Sequence, residues 1–486
     1  MGVFDKAFDT VRGQYFMFDR PAGATDTIDV NVAAGALAFD VVDATGLVVG
    51  QDLRVGSGET GELVRVTAVT AETISIDKKL KFAHVAGENV VELAAISIGV
   101  PEADGVRVNF GAETTDVFSA IQRTGYGVLN GYVDLGVSSR LMAITADVLA
   151  LSLGLPRAEL FGDGTAAVQT GTTGPRGFTS DGANFGALAN LIIVTTGVKE
   201  DGTPVKLDFY NCSVDPTALN TTFSRGQLAT VPVRTLASSG AADLSAVLWE
   251  PATILLTFDS NKGDLFSEIV EVERFTDSGT ATTATAAITA GAFAIPLAVT
   301  TGVVAGTVLR LGAGDRAEYH EVHDLSGSNA RLRTKVLRAH ASGVAVVKQT
   351  ITPIAGVTGG FRITASGQVT KRRSETNRMT IKTRASNIAL NFACNVNNMR
   401  PETLQLIFGM PASAFDDDVL PLGNLIGTAT SETLRFRGLT QNGKKVTIVG
   451  WNGSAKLGGE MVFSQAQEFA GPLSYQPQVM QVYVNA

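Results

Sequence analysis

The sequence predicts a mainly β protein made of two tandem copies of one plan, each with a short α-helix and an inserted small β module. Three observations carry this. Val, Thr and Ala abound while long amphipathic helical runs are absent, the composition of chains that build half-buried pleated surfaces. Glycine is frequent and proline scarce, 52 against 15 in 486 residues, with 45% hydrophobic and 18% charged residues, so a well-packed chain rich in turns is expected. Third, the chain aligns with itself without gaps over long stretches, and repetition at a fixed spacing outweighs any single segment.

Residues 32–93 align with 288–349 at a constant offset of 256. VAAGALAF (32–39) meets ITAGAFAI (288–295), and FAHVAGENVV (82–91) meets RAHASGVAVV (338–347). The glycines at 35, 46, 50, 56, 58 and 87 recur at 291, 302, 306, 312, 314 and 343. Recurrent glycine marks turns, and short strands such as Leu63 to Val69 and Thr73 to Asp77 lie between them. The module therefore reads as a small barrel-like β insertion.

Past the module the offset is 255. Val133, Leu135 and Val137 fall on Ile388, Leu390 and Phe392, and Leu149, Leu151 and Leu153 fall on Leu404, Leu406 and Phe408. The stop signal repeats, with Gly154 and Pro156 on Gly409 and Pro411. In the second copy Pro401 suits the first helical turn and Glu402 the positive end of the helix dipole. Leu404, Ile407 and Phe408 share one face, so Leu149, Leu153, Leu404 and Phe408 are the expected helix core.

At offset 241, the Asp201-Gly202 turn meets Asn442-Gly443 and Tyr210-Asn211 meets Trp451-Asn452; at offset 240, FSRGQ (223–227) meets FSQAQ (463–467). Asp-Gly and Asn-Gly are what a type I′ hairpin turn requires. The drop in offset assigns extra loop to the first copy, at 162–182. The predicted organisation is a first domain over 1–31 and 94–245 with module one at 32–93, and a second over 246–287 and 350–486 with module two at 288–349. Residues 249–273 could close the first copy or open the second.

Several function classes are disfavoured. A net charge of -8 argues against tight general binding of nucleic acid. Two cysteines, Cys212 and Cys394, supply no disulfide framework and no metal-ligand spacing. MGVFDKAFDT has no secretory signal pattern, and no apolar run is long enough to span a bilayer, so a soluble protein made in a reducing cytoplasm is expected. Gly56-Ser57-Gly58-Glu59-Thr60-Gly61 satisfies GxGxxG, but a strand-like ELVRVTAV follows where a nucleotide site needs a helix. His84 and His340 occupy the same place in the two modules, and His320 and His323 point to opposite faces of a strand, so structural or surface histidines are expected. Asp416-Asp417-Asp418 reads as a solvated acidic loop. With no Ser/His/Asp order, lipase elbow or P-loop, neither enzymatic activity nor a cofactor or metal is expected.

Against these residues a resemblance emerges. NVNNMRPETLQLIFG (395–409) resembles the strand-to-helix signature of phage major tail tube proteins; the first copy departs from it, with Ala146-Asp147-Val148 in place of Pro401-Glu402-Thr403. GVRVNFGAETTDVFSAIQR (105–123) and GFRITASGQVTKRRSE (360–375) resemble that family's strand and variable loop, and 434–477 its closing strands. The modules fall outside the resemblance. It implies two tandem tail-tube-like β-sandwich folds, and, with two folds per chain, a trimeric pseudo-hexameric ring stacked into a tube in the virion tail. The partners implied are other copies of the chain, the tail tip or baseplate, the tape measure and the tail terminator, with double-stranded DNA passing through and no membrane. The loops at 111–123 and 366–379 become candidates for contacts between stacked rings, through Glu113, Asp116, Arg123, Lys371, Arg372, Arg373 and Arg378. The competing reading is a baseplate, spike or receptor-binding component built of repeated β domains. A glycosidase is disfavoured by the scarcity of aromatics, Trp 2 and Tyr 7.

Overall fold

A computed structural model describes residues 8–99, 101–118, 125–141, 146–156, 160–161, 176–188, 190–199, 204–223, 230–237, 239–243, 254–257, 266–373, 380–397, 401–407, 432–440, 443–456, 462–464 and 467–484. Over these the protein is mainly β, with two large sheets and short helices. The first half opens with β1 (Phe8–Thr27), which runs into β2 (Ala38–Asp40), β3 (Asp52–Val55), β4 (Glu62–Thr70) and β5 (Thr73–Ile76). β6 (Asn89–Gly99) returns beside β1, and β7 (Pro101–Phe118) with β8 (Gly125–Leu141) forms a long hairpin leading to α1 (Ala146–Ser152). After β9 (Leu160–Phe161) and β10 (Arg176–Ser180) comes the hairpin of β11 (Leu191–Lys199) and β12 (Pro204–Val214). β13 (Asn220–Phe223), β14 (Val231–Ala237), β15 (Ser239–Asp243) and β16 (Ile254–Thr257) complete this half.

The second half repeats the order. β17 (Phe266–Thr283), β18 (Ala294–Pro296), β19 (Val308–Leu311), β20 (Glu318–Ser326) and β21 (Asn329–Leu332) stand for β1 to β5. β22 (Ala345–Arg373) covers the places of β6 and β7 in one strand, and β23 (Thr380–Val396) leads to α2 (Pro401–Ile407). β24 (Glu432–Thr440) and β25 (Lys445–Lys456) form the second hairpin, followed by β26 (Val462–Ser464), β27 (Gln467–Gln476) and β28 (Val479–Val484). The four short module strands begin 256 residues apart in the two halves and the helices 255 apart, as the self-alignment requires. Within 249–273, β16 pairs in parallel with β6 of the first sheet, while β17 takes the place of β1.

One sheet has 13 strands, with a spine running β2-β5-β4-β3-β6-β1-β11-β12-β14-β8-β7 and with β15 on β12 and β16 on β6, and the other has 15, with its spine running β18-β21-β20-β19-β22-β17-β24-β25-β28-β10-β9. The second spine ends on two strands of the first half. Each module has its own apolar cluster, with Leu53, Val55, Val66 and Ile76 in one and Leu309, Leu311, Val322 and Leu332 in the other. Away from the modules a single cluster holds residues of both halves, including Leu149, Leu153, Phe178, Phe361, Phe392 and Phe436.

The glycine pattern of the modules marks turns as expected. Gly56 and Gly58 both have positive φ, and the run they open leads through one 3-10 turn into β4, with no helix start. Gly443 of the second hairpin has φ +77; Asp201, Gly202 and Asn442 lie outside the described residues. Asn211 and Asn452 also share positive φ, 50° and 49°, each where the hairpin ladder shifts register. Asparagine tolerates that backbone region better than other side chains.

The helix core differs from expectation on one side. Leu149 and Leu153 are fully buried. In α2, however, Leu404 is only half-buried, and the face turned inward carries Thr403, Leu406 and Ile407. These sit at i, i+3 and i+4, the spacing of one helical face. Thr403 joins it because its hydroxyl donates to the Ile354 carbonyl at 3.2 Å. Phe408, Gly409, Pro411 and the acidic 416–418 lie outside the described residues.

The stop after α1 tests the packing. Gly154 has φ +66, and a Cβ there would meet Gly186 Cα at 2.8 Å, where the Gly186 N–H donates to the Leu153 carbonyl. Gly154→Ala is expected to cost about 2–4 kcal/mol of stability, since strain and backbone clash combine. Gly35, with φ +90 but open space around it, should cost only about 1 kcal/mol as alanine. Urea titration of the two variants checks the order; equal losses would show that the Gly186 contact contributes nothing.

Candidate assembly interface

The residues singled out for contacts sit on two long strand pairs. Glu113 and Asp116 are on β7, with Asp116 opposite Val128 of β8 and a register shift between Ala112 and Thr114. Lys371, Arg372 and Arg373 are on β22, opposite Thr383, Lys382 and Thr380 of β23. Over 111–118 and 366–373 the expected loops are paired strand, the rest of each lying outside the described residues, and the basic spot belongs to a two-stranded arm. Arg123 and Arg378 lie outside the described residues. By the 255 offset Asp116 corresponds to Lys371, so this one position carries opposite charge in the two arms, while Arg123 and Arg378 correspond as like charges.

The halves join through backbone ladders. β10 pairs antiparallel with β28, Phe178 opposite Val482 and Thr179 opposite Gln481. β13 pairs antiparallel with β22, Asn220 opposite Thr364 and Phe223 opposite Phe361. Side chains follow the ladders. Phe223 and Phe361 pack with ring centroids 6.1 Å apart, Gln481 Nε2 donates to the Thr179 hydroxyl at 3.4 Å, and Arg362 Nε donates to Asn220 at 2.8 Å. Arg338 of module two pairs with Asp181 just after β10, at 3.6 Å.

Buried polar contacts fix the modules to the sheets, by different means in each half. Lys78 of module one pairs with Asp208 at 2.5 Å and donates to the Tyr210 hydroxyl at 2.9 Å, both on β12. In the second half Arg435 of β24 bonds Glu273 of β17 and reaches Glu321 of module two at 3.4 Å. The Tyr483 hydroxyl donates to the same Glu321 at 2.9 Å, and burial pushes this phenol well above its ordinary pKa. Asn452 Nδ2 donates to the Ala317 carbonyl at 3.1 Å.

Inside each module a buried carboxylate holds a histidine. His84 Nε2 lies 3.1 Å from Glu62 and Nδ1 lies 2.7 Å from Glu88, and Glu62 also accepts from the Lys81 and Phe82 N–H groups. Glu318 repeats this with His340 Nε2 at 3.1 Å and the Leu337 and Arg338 N–H groups. His320 stands where module one has Val64; its two ring nitrogens meet Thr334 and Glu318. Burial favours neutral His84, but hydrogen bonds and charges from Glu62 and Glu88 outweigh it and the net pKa is raised. Burial likewise favours protonated Glu318, and His320, the Leu337 N–H and His340 outweigh it, so that its net pKa is lowered.

These pairs were within reach of the sequence. A Glu and a His recur together at the 256 offset, Glu62 with His84 and Glu318 with His340, and a carboxylate kept with a histidine signals a paired interior site. Among the described residues no group of three or more His, Cys, Asp and Glu is placed to hold a metal ion, and no helix is long and apolar enough to cross a membrane. Both cysteines are free and buried, and burial pushes Cys394 up to about 12. No protein-family model matches the chain, and no curated protein matches it.

His84 in its contact with Glu62 and Glu88 sets a pH dependence. A raised folded pKa means that His84 stabilises fully below its unfolded value of about 6.5 and that this is lost as pH rises through the folded value. His84→Ala should cost about 3 kcal/mol at pH 6, because Glu62 stays buried without its partner, and should flatten the fall in melting temperature between pH 6 and 8. Melting curves across that range check both; an unchanged slope would remove His84 as its source. Glu318 acts in the opposite sense, stabilising above about pH 4.3 and losing this as pH falls through its lowered pKa.

Proposed function

We propose that the chain is a structural virion protein, the major tail tube subunit of a long-tailed phage. Three copies form a ring with six similar folds, and rings stack into the conduit through which the genome leaves. The observation that carries this is the heterologous junction between two halves of like strand order, each half projecting a long two-stranded arm. One contact between unlike surfaces, repeated around an axis, generates a ring when the rotation closes. Six folds and two per chain give three chains. The sequence resemblance at 395–409 supplies the tail-tube identity.

On this reading each half is a tail-tube-like β-sandwich carrying a barrel-like insert. The arms with Glu113 and Asp116, and with Lys371, Arg372 and Arg373, meet the next ring. Opposite charge at Asp116 and Lys371 lets the two arms attract where these positions meet. The net charge of -8 suits a conduit, since clustered cations would hold DNA in transit through counterion release. The tube ends meet the tail tip or baseplate and the tail terminator, and the tape measure protein lies within.

Negative-stain electron microscopy and mass measurement of the concentrated protein test this. Stacked rings of three chains are the expected result. Rings of six chains would overturn the stoichiometry, and discrete trimers that never stack would favour the baseplate or receptor-binding reading.

A further inference from the structure

One arginine recurs in the two modules with different company. Arg54 of β3 and Arg310 of β19 are 256 residues apart and stand in the same register. Arg310 lies opposite Tyr319 of β20 and Val347 of β22, and Arg54 opposite Leu63 of β4 and Val91 of β6. Arg310 NH1 donates to Asp277 Oδ2 at 2.9 Å, and Asp277 also accepts from Gln349 Nε2 at 2.8 Å. In the first half Pro21 replaces Asp277 and Leu93 replaces Gln349. The positions are equivalent in structure too. Pro21 pairs with Leu93 as Asp277 pairs with Gln349, and the ladder shifts register after both.

Neither proline nor leucine has a side-chain acceptor. Among the described residues Arg54 makes no hydrogen bond or ion pair, and its Nε is withdrawn from water without an acceptor. The Nε of Arg310 is equally unbonded, so what the first half lacks is the carboxylate at the end of the side chain. The one acid of β3, Asp52, is taken at both oxygens by Arg65, at 2.9 Å each. Arg54 shares its face with Leu63 and Val91, which belong to the apolar cluster of Phe16, Phe18 and Tyr210. Burial holds its pKa below the ordinary guanidinium value, yet a guanidinium stays charged in proteins. Arg54 is thus a half-buried cation without a counterion, an arrangement that is costly until an anion arrives.

We propose that Arg54 receives a carboxylate from a second copy of this chain, in the place that Asp277 fills for Arg310. The proposal rests on the reading that copies of the chain assemble. A carboxylate is the fitting group because one already meets this arginine in the second half. It comes from outside because Asp277 is 46% exposed beside Arg310; the acceptor stands on the solvent side, where an incoming group can take its place. A second copy is the occupant because the chain is itself acidic, with 47 Asp and Glu against 39 Lys and Arg, and such a surface complements a cation short of a partner. Module two is complete within its own chain, and module one is completed on assembly.

Two variants of the full chain test this, with sedimentation reading the concentration at which the protein assembles. Arg54→Met should leave the melting temperature of the dilute monomer unchanged or higher, since an unpaired cation gives way to an apolar side chain, and should weaken assembly at least about tenfold. Pro21→Asp, which supplies the acid from within the chain, should keep the monomer folded and weaken assembly as well. Assembly of either variant at the wild-type concentration overturns the proposal and leaves the ring reading standing. A wild-type chain that stays monomeric at every concentration overturns both. An Arg54→Met monomer that melts well below wild type shows an arginine already used inside its chain and also overturns the proposal. Sodium acetate against sodium chloride at equal ionic strength separates the sources of the carboxylate. Acetate that protects dilute wild type and not Arg54→Met against heat, while both variants assemble normally, assigns the site to free carboxylates and overturns the second copy as its occupant.

Discussion

The ladder between β10 and β28 is the contact on which the rest of the structure depends. It lays Arg176–Ser180 against Met480–Val484, at the far end of the chain. Phe178, fully buried in this ladder, belongs to the same apolar cluster as Leu149 of α1 and Phe392 and Phe436 of the second half. Burying one such side chain is worth about 1.5–3 kcal/mol, and the backbone groups it brings along leave no exposed edge on β28. The two halves are therefore not independent beads. A contact spanning most of the chain also carries a large loop-closure cost before it forms, so the junction should form after the local hairpins.

Around that junction the modules are held by polar contacts and by apolar clusters shared with the sheets, Leu63 with Phe16, Phe18 and Tyr210 in one half and Val308 with Phe275 and Trp451 in the other. Lys78 with Asp208 and Tyr210, and Arg435 with Glu273, Glu321 and Tyr483, are largely withdrawn from water. Buried ion pairs add little net stability compared with apolar groups of the same volume, but removing one partner is costly. Their directional geometry fixes how a module stands on its sheet. The modules pair through backbone with the long strands as well, β3 on β6 and β19 on β22, so each is an extension of a sheet at a set angle.

What the sequence made legible is what repeats or alternates locally. The module strands, both helices and both hairpins follow from glycine spacing, the turn dipeptides and the 256, 255 and 241 offsets. The inward face of α2 is not legible in the sequence because the helix has seven residues, too few for periodicity to choose a face, and because Thr403 is polar. The arms were read as loops because a charged run such as Lys371-Arg372-Arg373 lacks the apolar alternation that announces a half-buried strand. Pairing between β10 and β28 leaves no local mark at all, since register between distant strands is set by the partner. The module contacts were obscured by divergence: Val194 corresponds to Arg435 and Asp208 to Val449, so apolar and charged residues exchange places between halves.

That exchange is informative about why one chain would hold two copies. Six identical subunits must present the same residue at every equivalent place, so a charge that helps one contact faces its own kind in the next arm. Two unlike halves are free of this constraint. Asp116 and Lys371 occupy equivalent arm positions with opposite sign, and the equivalent strands β28 and β15 differ in sequence, VMQVYV against SGAAD. In the proposed ring the contact inside a chain can then be permanent and strongly apolar. The contact between chains in such a ring need not match it in strength.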